Sequence, residues 1–288
     1  MSTATRPVTA ISRWWLLTSS PFFLLFWVAI GWIVAVSVFT PSLFTLYDPT
    51  VTFDNYLRVF IDSIYYGVLL NTVWMAIVGS AIAVVIGYPL ALHISRASGR
   101  TRDVYMGIVI TVLLVAFIIK LYAWQILFDE SSPLSAFLSL FGAPDSILGT
   151  KAGVIVGLVY ASLPYTVLSL SASVDQVPRP VEEAAAVFGA SPARAFRTVI
   201  LPMTSSGMAT ALIFAIPLNL SAFLAPLLLG RGKVQMTALQ IYTNSAGGGT
   251  SANWPMAAAL SITLLVMCVV FTLVALQLVQ RAGARGRA

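Results

Sequence analysis

Residues 175–202 read DQVPRPVEEAAAVFGASPARAFRTVILP, one polar stretch between long apolar ones, and its punctuation encodes two short helices around a sharp corner. Pro180 suits a first helical position, and Glu182 and Glu183 put negative charge at the positive end of the helix dipole. Ala184, Ala185 and Ala186 are strong helix formers, and Gly189 accepts the left-handed conformation that ends a helix. Ser191 before Pro192 is a cap followed by a first-position proline, which restarts a helix through Arg197 until Pro202 opens the next element. Val187, Phe188, Phe196 and Val199 are expected to make apolar contacts around the corner. From the residues alone, two readings stand level. One is an amphipathic hairpin lying on lipid headgroups; the other is a hairpin that docks a protein.

The chain on either side of this loop belongs in lipid. Of 288 residues, 59% are hydrophobic and 9% charged, with a mean hydropathy of +0.92. Soluble domains run at about 45 to 50% apolar and about 25% charged. Six stretches reach the roughly 20 residues that a bilayer crossing takes, at about 16–39, 66–94, 104–128, 152–174, 203–229 and 256–280. The expected fold class is an all-α integral membrane protein with six transmembrane helices, a single transmembrane domain over residues 1–288. The first apolar stretch is too long for a signal-peptide core and no small-residue cleavage site follows it, so it reads as an anchor.

Basic residues orient the spans. Eleven Lys and Arg fall on the side that holds both chain ends and residues 175–202, four fall on the other side, and Lys120 lies within a span. Positive charge favours the cytoplasm, so both termini and the hairpin are expected inside, in a bacterial inner membrane. Topology also accounts for the formal charge of +6, and no basic run has the density of a nucleic-acid patch. One cysteine, Cys268, and one histidine, His93, exclude a disulfide framework and a multi-histidine metal site, and no metal ligands are assigned.

The hairpin resembles the signature of binding-protein-dependent ABC importer permeases, EAA, three residues, G, nine residues, I, one residue, LP. Glu183, Ala184, Ala185, Gly189, Leu201 and Pro202 match it, with Val199 at the isoleucine position. The resemblance implies a type I ABC importer permease fold (MetI-like), with Glu182, Glu183, Ala184, Ala185, Gly189, Ser191 and Pro202 forming a cytoplasmic coupling helix that sits on a separate ATPase. It also implies the partners: a second permease subunit, as a heterodimer, two ATPase subunits and an extracytoplasmic solute-binding protein. ATP and Mg would be used by the ATPase, this chain binding no cofactor and being no enzyme itself.

Four further segments, 116–128, 156–170, 221–230 and 253–261, are similar to permeases of the spermidine/putrescine importer group. That group implies a small organic solute, a polyamine or else an amino-acid-like, opine or organic-anion solute. Polyamine members often carry an acidic residue near the position of Ala222, and here no span has Asp or Glu in its body. Carboxylates for a polycation would then come from the companion permease. A secondary transporter would want such an acid for ion coupling, and a membrane enzyme would want clustered His, Asp or Glu, so both lose support.

Candidates for the solute path are Lys120, Tyr122, Trp124, Tyr165, Asn219, Ser221 and Phe223. Lys120 at depth costs about 2.5 to 3.5 kcal/mol on insertion scales, so it either faces solute or satisfies a helix end. The four aromatic residues either line a cation-π path for an amine or pack the core and the interface. Asn219 and Ser221, between Pro217 and Pro226, either contact solute or bond within the bundle. Gly153 and Gly157 form a GxxxG pair, a spacing that arises often in spans so rich in Gly and Ala.

Overall fold

The computed structural model describes residues 9–42, 45–140, 146–246 and 252–285. The two chain ends and the Gly247 to Gly249 run lie outside them. Helix α1 (Thr9–Ser37) leads through a two-stranded antiparallel ribbon, β1 (Phe39–Thr40) and β2 (Asp48–Val51), into α2 (Asp54–Ile61) and α3 (Ser63–Arg96). Next come α4 (Gly99–Leu114), α5 (Phe117–Leu127), α6 (Pro133–Ser139) and α7 (Lys151–Val174). The hairpin consists of α8 (Arg179–Val187), α9 (Pro192–Ala195), a π-helical turn (Phe196–Ile200) and α10 (Leu201–Met203). The chain closes with α11 (Ser205–Leu220), α12 (Leu224–Leu229), α13 (Thr237–Ala246) and α14 (Trp254–Arg285).

Among the described residues three helices, α3, α7 and α14, are each long and apolar enough to cross a membrane. Two of the six expected crossings are not the continuous helices that hydropathy suggests. The stretch 104–128 breaks at Val115 and Ala116, whose extended backbone bends α5 away from α4 by 93°. No Gly or Pro marks that break, so nothing in the sequence announced it. The stretch 203–229 breaks twice: α11 follows the hairpin helix at 65°, and Ser221 to Phe223 leave the helix between Pro217 and Pro226. There the cause is visible, since each proline removes a backbone donor and crowds the preceding turn.

The core is α3, α7 and α11, packed through small residues. A β-carbon added at Gly87 would sit 2.9 Å from the Thr166 hydroxyl, and one at Gly157 would sit 2.8 Å from a Leu229 methyl. Of the GxxxG pair in α7, Gly157 serves a close approach against α12 and Leu121 of α5, whereas Gly153 is crowded by the Ile147 carbonyl that precedes its own helix. Met75, Leu121, Leu158, Leu229 and Met236 form one buried cluster, while Val84, Tyr88, Leu170 and Ala211 form a second, nearer the hairpin. Polar links join the loops at both ends of the helices. At one end Arg102 meets Asp175 at 2.5 Å; at the other Arg231 meets Asp129 at 3.1 Å and Gly149 N–H bonds the Leu229 carbonyl at 2.7 Å. Hydrogen bonds from the Ser131 hydroxyl and backbone, then the Arg231 pairing, hold the Asp129 carboxyl below its ordinary pKa.

Candidate functional site

Helix α8 ends as its sequence dictates. The Gly189 N–H donates to the Ala186 carbonyl at 2.9 Å and the Ala190 N–H to the Ala185 carbonyl at 3.0 Å, the reciprocal pair of a Schellman stop. That geometry needs the left-handed backbone found at Gly189, φ +80°. The chain then restarts: Ser191 Oγ accepts from the Arg194 N–H at 3.4 Å, and Pro192 follows in the first turn. Pro180 falls one place later than expected, because α8 begins at Arg179. The second helix also widens into a π turn before Pro202, whose ring cannot donate and crowds the carbonyl of Thr198.

Only part of the expected corner packing is present. Phe196 meets the Tyr88 ring edge to face at 5.2 Å, and Ala195 and Ile200 are buried. Val187 and Phe188 instead stand 85% and 90% exposed at the hairpin tip. The reason is the short arm of α8: with Gly189 turning the chain at its end, the last two apolar side chains project past the corner. Glu183 and Ala184 are exposed, whereas Glu182 is half-buried and pairs with Arg96 at the end of α3. The Arg96 guanidinium also reaches the Val177 carbonyl at 3.4 Å, and Arg179 donates to the Arg96 carbonyl at 3.0 Å. Arg96 and Arg102 count among the basic residues on the hairpin's side and Asp175 opens the hairpin sequence; their pairing is not visible in the sequence, because the partners lie more than 70 positions apart.

Four of the seven path candidates share one cavity. Lys120, Tyr165, Ser221 and Phe223 line a space of about 490 Å³ between the broken α4–α5 corner, α7 and the α11–α12 break. The three others lie elsewhere. Tyr122 is half exposed, Trp124 packs on Phe128 at 5.0 Å and on Tyr160 at 5.7 Å, and Asn219 is fully buried among helices. Within the cavity, Lys120 Nζ donates to the Val112 carbonyl at 2.6 Å, one of the acceptors orphaned where α4 stops. Lys120 thus has the end of α4 as a hydrogen-bond partner while also lining the cavity. The Ser221 hydroxyl likewise bonds the Pro217 carbonyl at 2.9 Å.

Tyr165 also borders a second cavity of about 470 Å³, lined by Ser169, Ser173 and Gln176 of α7 and its end, and by Ser206 and Thr210 of α11. Sequence reasoning missed it. Its signal was the polar residues at 169, 173 and 176, which recur at helical spacing on one face of an otherwise apolar helix.

Residues 83–283 match the family model described as binding-protein-dependent transport system inner membrane component. The spermidine/putrescine transport system permease protein PotB of Escherichia coli is 28% identical over 253 residues, 83% of this chain and 90% of that protein. Its Haemophilus influenzae counterpart is 29% identical over 238 residues, 82% of each chain. The trehalose transport system permease protein SugB of Mycobacterium tuberculosis is 27% identical over 230 residues, 80% of this chain and 79% of that one. Among solved structures, a chain of a bacterial alginate ABC transporter in complex with its alginate-bound periplasmic protein superposes with a TM-score of 0.71 at 18% identity, covering 96% of this chain and 98% of that one. A chain of the inward-facing MetNI methionine ABC transporter gives 0.56 at 19% identity, covering 77% and 99%. The chain belongs to the binding-protein-dependent transport system inner membrane components, and is a permease subunit of an ABC importer.

Proposed function

We propose that this permease carries a polyamine-class solute, with six crossings, both termini and the hairpin in the cytoplasm, and a heterodimeric partner permease. The single observation that carries the reading is a separation of parts. An apolar hairpin tip, Val187 and Phe188, stands exposed at one end, and a cavity lined by Lys120, Tyr165, Ser221 and Phe223 lies at the break between α4 and α5. The tip suits a groove on an ATPase subunit, with Glu183, Ala184, Ala185 and Gly189 shaping the helix that enters it. ATP and Mg are used there, and this chain holds no cofactor. A solute-binding protein docks at the opposite end, where Asp129 and Arg231 join two loops.

The polyamine class is supported by the sequence relatives named for spermidine and putrescine. Tyr165 and Phe223 offer ring faces to an ammonium, and the Lys120 charge is already engaged by the Val112 carbonyl. The carboxylates that a polycation needs come from the companion permease. The test is uptake of labelled putrescine by the complete transporter in proteoliposomes. ATP- and binding-protein-dependent uptake is expected, and Phe188→Asp should release the ATPase on purification. Uptake without the ATPase would contradict the importer mechanism. Uptake of a carboxylate-bearing solute in place of putrescine would move the solute to the zwitterionic or anionic class.

A further inference from the structure

Helix α4 is joined to the rest of the chain differently from its neighbours. None of its side chains is buried, whereas α3, α7 and α11 interlock at Gly87 and Gly207, where a methyl group has no room. It is a rod of 16 residues, about 24 Å long, between two non-helical joints. At one joint Ala97 and Ser98 are extended and Gly99 has φ +54°; at the other Val115 and Ala116 are extended. His93 touches Tyr105 edge to face at 5.2 Å near the first joint.

Polar links fasten the rod at its ends. Near the first joint Arg102 pairs with Asp175, the residue that leads into the hairpin, at 2.5 Å, and Arg96 ties α3 to Glu182 of the hairpin itself. At the far end Lys120 of α5 holds the Val112 carbonyl at 2.6 Å, and residues 113–117 of that corner form one wall of the 490 Å³ cavity. A displacement of the hairpin thus meets a tightly packed core in one direction and a hinged rod ending at the cavity in the other.

We propose that α4 is the lever through which the hairpin moves the cavity wall, with Asp175 and Arg102 as the positioning pair at one end and Lys120 as the clamp at the other. This rests on the docking of the hairpin to an ATPase proposed above. Rigid elements with two discrete arrangements can carry coupling between distant sites.

The experiment uses the complete transporter in proteoliposomes, with putrescine as the probe, and reads both hydrolysis and uptake. The Arg102–Asp175 pair is partly exposed, 40% and 30% for the two side chains, so breaking it should cost the fold little. Asp175→Arg and Arg102→Asp should each lower solute taken up per ATP hydrolysed by about 2- to 30-fold while the ATPase still co-purifies. Combining the two reversals should restore the ratio. Lys120→Arg, which keeps a donor, should retain coupling better than Lys120→Met. Normal coupling in both single reversals, or no recovery in the double, overturns the lever. Retention of the ATPase by Phe188→Asp overturns the docking reading instead, and so the two failures are distinguishable.

Discussion

The Asn219 side-chain amide of α11 donates to the Ser80 hydroxyl of α3 at 2.9 Å and lies 3.4 Å from the Ser162 hydroxyl of α7, so one residue ties the three core helices together. Asn219 is fully buried and lines neither of the two cavities, and the packing reading makes its loss a matter of stability. Interhelical hydrogen bonds of this kind average about 0.6 kcal/mol and reach about 1.7 kcal/mol in membranes. Asn219→Ala should therefore lower the unfolding free energy in bicelles by about that range and leave the KM for solute unchanged. A raised KM with unaltered stability would return Asn219 to the pathway.

Gly189 invites a sharper substitution, because a β-carbon there meets no atom within 4 Å and only the backbone is at stake. A left-handed conformation costs a branched residue about 1 to 2 kcal/mol, and asparagine tolerates it better. Gly189→Val should misplace α9 and depress solute-stimulated ATP hydrolysis, with Gly189→Asn close to normal. Normal coupled hydrolysis in Gly189→Val would remove the corner from the coupling path.

These two residues also mark what a sequence discloses. Gly189, Ser191 and Pro192 act through their own backbone and immediate neighbours, so the hairpin's stop and restart were legible one residue at a time. Asn219 acts through Ser80 and Ser162, 139 and 57 positions away, and its type alone left packing and solute contact equally open. The bend after Leu114 was illegible for another reason. Ala116 is a strong helix former and Val115 only mildly disfavours a helix, so local preference does not account for their extended conformation. Hydropathy measures how apolar a stretch is and carries no information on whether it stays straight.

The expected sidedness rests on the asymmetry of eleven basic residues against four. In a Cys268→Ala background, Asp54→Cys should react with an impermeant thiol reagent added outside intact cells, and Val187→Cys should react only after the membrane is permeabilised. Both positions are exposed in the chain, so access depends on the membrane and the partner subunits. Outside labelling at Val187→Cys would invert the topology.

The aromatic candidates divide by where their rings lie. Phe223 lines the cavity and packs on Tyr242 at 4.8 Å, whereas Trp124 lies outside it, in ring contact with Phe128 and Tyr160. A cation over an aromatic face gains about 0.5 kcal/mol when wet and about 2 kcal/mol or more when desolvated. Phe223→Leu keeps the apolar bulk and removes the ring face, so the KM for putrescine should rise by about 2- to 30-fold. Trp124→Phe should leave that KM unchanged and act, if at all, on stability. The comparison is made at fixed binding-protein concentration, so that delivery is constant. A KM that responds to Trp124→Phe and not to Phe223→Leu would place the solute on the far side of α5, away from the cavity that Lys120 and Tyr165 enclose.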